Sequence, residues 1–410
     1  MLGDTTGIQT TPHTDSPYSW LRLAISVLAG TLTNIGMWAA ILVLPAVQAE
    51  FGVDRADASI SYTAVMVGFA AGNLVLGRLV DRFGIAPVLA GSALLLSASF
   101  GIGSLVDSIW LFALLQFFAG FATAAGFGPL IADVSHWFSR RRGIAVAAAA
   151  AGNYLAGALW PQVLKGIIAE QGWRAAFVFI AMVCLFGIIP LAMMLRRRVP
   201  HEAAPVAGSV AFGTRSINLS PAALQGFLVV AGIGCCVAMS MPQVHIVAYC
   251  ADLGYGVTAG AQMLSTMLAA GIVSRLLTGF IADYIGGVRT LLIGSVLQCM
   301  ALFLYIPFDG LASLYIVSLV FGLSQGGIVP SYAIIVREYL PAREAGQRVG
   351  IVVTATVVGM ALGGWMSGWI YDLTGSYQAA FLNGIAWNIM NISIMLFLLM
   401  KTRDAKPVPA

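Results

Sequence analysis

Twelve runs of mainly apolar residues divide the chain, at 20–46, 58–77, 86–106, 110–133, 143–168, 174–195, 222–250, 260–282, 290–307, 311–336, 347–370 and 376–400. Each is close to the roughly 20 residues that cross the hydrocarbon of a bilayer. Runs of this length predict helices, because only a helix satisfies its backbone hydrogen bonds within one membrane segment. The predicted fold class is therefore an all-α membrane protein of twelve transmembrane helices. Composition agrees: 59% of the 410 residues are hydrophobic and 9% charged, with a mean hydropathy of +0.90. A soluble domain carries about 25% charged residues. Residues 1–19 are polar, with no basic segment and no small-residue cleavage site, so the first apolar run is expected to stay in place as a membrane helix.

The longest polar gap, 196–221, is rich in Pro, Gly and Ser and separates two sets of six runs. The expected organisation is a tail over 1–19, a six-helix bundle over 20–195, a central loop over 196–221, a second bundle over 222–400 and a tail over 401–410. The two sets echo each other. "GRLVDRFG" (77–84) recurs as "GFIADYIG" (279–286), which repeats GxxxDxxG at an offset of 202 residues. "WRAAF" (173–177) recurs as "YQAAF" (377–381), and "AGFGP" (125–129) is matched by "GGIVP" (326–330). Paired halves suit an alternating-access carrier, in which one half rocks against the other around a shared site.

Charge decides the expected orientation. With the N-terminus in the cytoplasm, seventeen of the 21 Lys and Arg residues fall on that side and three (Arg55, Lys165 and Arg174) on the other. This bias places both termini inside. A net charge of +4 spread along the chain does not suggest a nucleic-acid partner. No metal-spaced Cys/His cluster, phosphate-binding glycine loop or nucleophile–base arrangement is visible, so no cofactor, no metal and no enzymatic activity are expected. The five cysteines all lie in or beside apolar runs, and an odd count argues against a disulfide framework.

The remaining basic residue is Arg275, inside "GIVSRLLTGFIAD" (271–283). It lies eight residues, or about 12 Å, from Asp283 at the helix end. An arginine facing lipid at that depth costs at least about 2.5 kcal/mol unless it snorkels to the interface, and no acid in its own span can pair with it. The alternative is that it faces a water-filled cavity and captures an anion. The planar guanidinium suits a carboxylate because it donates two parallel hydrogen bonds.

Six-plus-six helices, the repeated GxxxDxxG, "WFSRRRGIAVAAAAAGN" (137–153) and "GWRAAF" (172–177) resemble the major facilitator superfamily over nearly the whole chain. Within it, the basic turn after the fourth span and the arginine in the eighth most resemble the monocarboxylate transporter and oxalate/formate antiporter group. The resemblance implies a secondary carrier of a small organic acid in a bacterial inner membrane, acting as a monomer, with Arg275 binding the substrate carboxylate. Two departures stand out. An aspartate common one turn before this arginine is replaced by Gly271, and the eleventh span lacks the second cation of the oxalate exchangers. One central positive charge favours a monoanion over a dianion, whose second charge would be stranded at low dielectric.

The family pattern puts spans 1, 4, 7 and 10 nearest the cavity. Asn34 and Trp38, Phe127, Gln325 and Tyr332 are thereby candidate lining residues, with Asn153 and Tyr154 of the fifth span beside them. For each polar member the competing reading is a structural hydrogen bond between helices, and for Phe127 it is core packing. The GxxxDxxG loops form the cytoplasmic gate in the superfamily, which implicates Gly77, Asp81, Arg82 and Gly84 in the first copy and Gly279 and Asp283 in the second. Tyr284 stands where the first copy has Arg82. Asp133 and His136 are further gate candidates. Proton symport is expected by resemblance, through Arg275 itself or through His245, whose imidazole titrates near neutral pH. Rival readings are export of a hydrophobic small molecule, organic-anion exchange, and a transporter-like membrane sensor.

Overall fold

The computed structural model describes residues 15–197, 217–341 and 344–403. Most of the expected tail and central-loop segments therefore lie outside the described residues. Among those described, the chain is helical, with no strand. The first half contains α1 (Pro17–Thr33), α2 (Ile35–Phe51), α3 (Arg55–Phe83), α4 (Ile85–Gly103), α5 (Ile109–Thr123), α6 (Gly128–Ser135), α7 (Arg142–Val183) and α8 (Ile189–Met194). The second contains α9 (Pro221–Asp252), α10 (Gly256–Ile285), α11 (Gly287–Leu304), α12 (Leu311–Gln325), α13 (Ile328–Tyr339), α14 (Ala345–Thr374) and α15 (Tyr377–Arg403).

Eleven stretches are long and apolar enough to span a membrane, one of them running from Gly143 to Met194. At 52 residues this stretch is about 78 Å long, far more than a bilayer accepts from one helix. It is interrupted at Gly172, with φ 84° and ψ 170°. The turn glycines Gly84 and Gly286, which end the two GxxxDxxG loops, have nearly the same angles, 84° and 169°, and 83° and 166°. A side chain is disfavoured at such positive φ, so glycine marks each of these turns. Counting the reversal at Gly172, the described residues make twelve spans of membrane-crossing length, which puts the described ends on one side, here called the terminal side.

Helix bounds depart from the apolar runs where polar residues continue a helix. The second span was expected to end at residue 77, yet α3 continues to Phe83, so "GRLVDRF" is helical and only Gly84 turns. The first span is interrupted at Asn34 and the sixth at a π turn over Cys184–Ile188, and two more spans break at corresponding places in the two halves. The fourth divides into α5 and α6 around a 3-10 turn at Ala124–Gly126, and the tenth into α12 and α13 at Gly326 and Gly327. These breaks fall in the matched segments "AGFGP" and "GGIVP". Discontinuous spans at corresponding places in the two halves are the usual surroundings of a carrier's binding site.

The halves meet along two seams, α3 against α14 and α7 against α10. Small residues permit the approach. A Cβ on Gly364 would lie 2.7 Å from the Tyr62 ring, and one on Gly368 would lie 2.9 Å from the Arg55 carbonyl oxygen. The five cysteines are buried and unpaired.

Candidate functional site

The helix breaks release backbone carbonyls, and two polar side chains answer them. Asn34, at the junction of α1 and α2, donates through Nδ2 to the Gly30 oxygen at 2.7 Å and to the Gly126 oxygen of the first break at 3.2 Å. Arg275 donates through Nε to the Gly326 oxygen of the second break at 3.3 Å. It also reaches across the seam, where a second guanidinium nitrogen donates to the Ala150 oxygen of α7, again at 3.3 Å.

The guanidinium carbon lies 4.3 Å from the centre of the Tyr154 ring. The ring's negative face favours a cation there. No carboxylate within 4 Å pairs with Arg275 among the described residues. The charge is half-buried and held by carbonyls and a π-face, so its remaining N–H groups are free of any acidic partner. Gly271, one turn earlier on α10, makes room for this arrangement: a Cβ there would sit 2.4 Å from Tyr154.

Beside Tyr154, the Trp38 indole N–H donates to both the backbone and side-chain oxygens of Asn153 at 3.2 Å. Trp38, Asn153, Tyr154 and Arg275 thus form one chain of neighbours across α2, α7 and α10. Gln325 is buried next to Gly326, where its oxygen accepts from Gln243 Nε2 at 2.6 Å. The free amide atoms of this pair, Gln325 Nε2 and Gln243 Oε1, are buried without protein partners, as is Asn34 Oδ1. Phe127 lies at the first break and packs on Phe69 with ring centres 5.7 Å apart. Tyr332 stands apart from the group, buried, with its hydroxyl donating to Asn391 at 3.0 Å. Asn391 and Asn388 in turn donate to Ser295 of α11.

On the side away from the termini, the second-span helix α3 is tied to the other half by Arg55. Its guanidinium makes a forked pair with Asp252 at the end of α9, at 3.0 and 3.1 Å. It also donates to Gln48 and to the Tyr377 hydroxyl, and it lies 4.5 Å from the centre of the Tyr371 ring. The backbone N–H groups of Arg55 and Ala56 cap the carboxylate of Asp372 at 2.9 and 2.7 Å. His245 joins this network. Its Nε2 lies 2.7 Å from the Gly364 oxygen, which can only accept, so Nε2 carries the proton and Nδ1 faces the Tyr377 hydroxyl at 3.0 Å.

The terminal side is different. Asp81, Arg82 and Asp283 have no ion-pair partner among the described residues. A Cβ on Gly77 or Gly279 would meet nothing within 4 Å, and Tyr284 is 85% exposed. Gly84 is the turn itself. The GxxxDxxG loops therefore stand disengaged while the far side is tied. Asp133 is held within its own half by a forked ion pair with Arg22 at 2.8–3.0 Å, and Arg22 is 2% exposed. Arg22 also donates to the Arg197 carbonyl at 3.0 Å and lies 4.6 Å from the centre of the Trp137 ring. His136 is exposed at the C-cap of α6.

Arg55, Asp252, Asp372 and Tyr377 were not singled out by their sequence surroundings, and neither was Arg22. A signal for Arg55 was present: it is one of only three basic residues expected on the far side.

The sequence profile of the Major Facilitator Superfamily matches residues 26–312 and 227–410. The chain belongs to the major facilitator superfamily. Among relatives, monocarboxylate transporter 13 of Bos taurus is 25% identical over 330 residues, covering 80% of this chain and 76% of its own. Human monocarboxylate transporter 11 is 27% identical over 391 residues, covering 90% of this chain and 80% of its own. An agnestins efflux protein of Paecilomyces divaricatus is 23% identical, covering 91% of this chain and 87% of its own. A bacterial homolog of the human lysosomal transporter Spinster, solved in an inward-facing and occupied conformation, superposes with a TM-score of 0.73. It is 13% identical, and the match covers 97% of this chain and all of the other. As a major facilitator protein the chain is a membrane transporter rather than an enzyme.

Proposed function

We propose that this transporter carries a small organic monocarboxylate across a bacterial inner membrane by alternating access, with a proton as co-substrate. The observation that carries the reading is Arg275, a cation at the seam of the halves, beside a helix break, with no acidic partner among the described residues. A single positive charge is neutralised by a single carboxylate, while a dianion would bring a net charge into a low-dielectric site. Monocarboxylate transporters 13 and 11 stand among the relatives. Trp38, Asn153, Tyr154, Phe127 and Gln325 would surround the cargo. Each chain holds both halves of the site and would act as a monomer.

The terminal side is proposed to be cytoplasmic, on the strength of the Lys and Arg bias. The tied far side and disengaged terminal loops then correspond to an inward-facing state. Reorientation would break the Arg55 network and close the loops around Asp81, Arg82 and Asp283. His245 is the proposed proton group. A second proton makes Nδ1 a donor, which opposes the Tyr377 hydroxyl and loosens that network.

The test is uptake of a radiolabelled carboxylate panel into proteoliposomes, with and without an imposed pH gradient. Wild-type uptake of monocarboxylates should rise with the gradient. Arg275→Lys, which keeps the charge and loses the planar fork, should lose most of it, and equal rates would overturn carboxylate capture. His245→Gln should keep exchange and lose the gradient response.

Exchange of one organic anion for another is a second reading, favoured by the lack of a carboxylate beside Arg275 among the described residues. Gradient-independent counterflow would select it. The efflux protein among the relatives favours export of another organic small molecule, for which Arg275→Gln should leave transport intact.

A further inference from the structure

The outer face of the first half carries a groove of about 270 Å³ between α3, α4 and α5. Its walls include Leu79 and Phe83 of α3, Pro87, Gly91 and Leu95 of α4, and Phe121 of α5. It begins beside the Gly84 turn on the terminal side and follows α4 from Pro87 to Leu95. Those eight residues span about 12 Å, close to the roughly 15 Å of hydrocarbon in one leaflet. Its apolar lining does not suit a small carboxylate, and none of its lining residues belongs to α7 or α10, which hold Arg275.

A cation flanks the terminal-side end of the groove. The Arg82 guanidinium carbon lies 5.1 Å from the centre of the Phe83 ring, which is itself part of the wall. Arg78 is one turn earlier on the same face of α3. Both are exposed, and neither has an acidic ion-pair partner among the described residues. At about 100° per residue, Arg82 lies about 60° and 100° around the helix from Leu79 and Phe83 and Arg78 about 100° and 140°, whereas Asp81 is about 160° from both, so the arginines flank the groove and the acid faces away from it. An apolar channel one leaflet deep, with unpaired arginines where headgroups lie, has the charge and length pattern of an anionic lipid.

We propose that this groove binds an anionic glycerophospholipid from the leaflet on the terminal side. One acyl chain lies along α4 beneath Leu79 and Phe83, and the phosphate meets Arg82 and Arg78. The site belongs to the first half alone, because the second GxxxDxxG copy has Phe280 and Tyr284 in place of the two arginines. Since Leu79, Arg82 and Phe83 are part of the first loop motif, an occupant braces the end of α3 and ties the gate to the anionic lipid content of the bilayer. The proposal is independent of the cargo.

The experiment is native mass spectrometry of the full chain released from nanodiscs of phosphatidylcholine mixed with phosphatidylglycerol. Wild-type protein should retain one phosphatidylglycerol in preference to phosphatidylcholine. Two arginines near the headgroup predict roughly ten- to thirtyfold enrichment. Gly91→Phe should abolish the retained lipid, since a Cβ at Gly91 meets nothing within 4 Å and the side chain can enter the groove. Arg78→Gln combined with Arg82→Gln should remove the headgroup preference. Equal retention of the two lipids by wild-type protein would overturn the proposal without any variant. So would a folded Gly91→Phe protein, checked by circular dichroism, that keeps its phosphatidylglycerol.

Discussion

Arg55 at the start of α3 and Asp252 at the end of α9 face each other across the two halves, with both carboxylate oxygens within 3.1 Å of guanidinium nitrogens. Arg55 is almost entirely enclosed, its side chain 7% exposed, while Asp252 is 32% exposed. The pair therefore sits where water is scarce but present, and charge-assisted hydrogen bonds there are worth about 1.5–3 kcal/mol. Asp252→Asn should shift the balance of far-side-closed to far-side-open protein by about ten- to a hundredfold. Distance measurements between spin labels on the far-side ends of the two halves check this, and an unchanged distribution would mean that Arg55 is not what ties them.

Gly271 and Tyr154 make a second prediction. An alanine at 271 would press its Cβ to 2.4 Å from the ring, whose rigid edge must move. Arg275 then loses its π-face. Such contacts contribute about 0.5–2 kcal/mol, so Gly271→Ala should bind cargo roughly two- to thirtyfold more weakly. Tyr154→Phe keeps the ring and should bind like wild type. Equilibrium binding of the best transported carboxylate is the measurement.

Arg22 and Asp133 form an ion pair buried on the arginine side. Removing one partner of such a pair costs about 3–5 kcal/mol because the other charge is stranded. Asp133→Asn should therefore lower stability to denaturant in micelles by about 3 kcal/mol. Replacing both partners, Arg22→Met with Asp133→Leu, should recover most of the loss. A double variant as unstable as the single would show that the pair is more than mutually compensating.

Asp15 straps the N-terminal segment to the loop between α6 and α7. Its carboxylate accepts from the Ser139 hydroxyl at 2.6 Å and from the backbone N–H groups of Ser139, Arg140 and Arg141 at 3.1, 2.9 and 3.4 Å. Partial burial works against the charged form, but these hydrogen bonds outweigh it and hold the carboxyl below its ordinary value of 3.8. A depressed folded-state value means the strap is fully present above the ordinary carboxylate range and is lost as pH falls through the lowered one. Amide protection factors at residues 139–141 should stay level down to about the ordinary value and drop below it. Asp15→Asn should show the reduced protection at every pH.

The number of spans, the division into two halves and the paired loop motifs were legible in the sequence because each is written locally. Apolar length reports membrane crossing, and a repeated glycine pattern reports a repeated turn. The segments "AGFGP" and "GGIVP" were legible as a match between the halves, but the helix breaks they hold were not, because their apolar runs read as continuous. Arg275 was visible too, as a charge where oil was expected. Its surroundings were not, nor were the partners of the other buried charges. Asp133 meets Arg22 across 111 residues of chain, and Arg55 meets Asp252 across 197. Hydropathy is a property of one residue and its neighbours in sequence. Which charge meets which depends on how each helix is rotated and how closely glycines let the helices pack, and only the tertiary structure decides that.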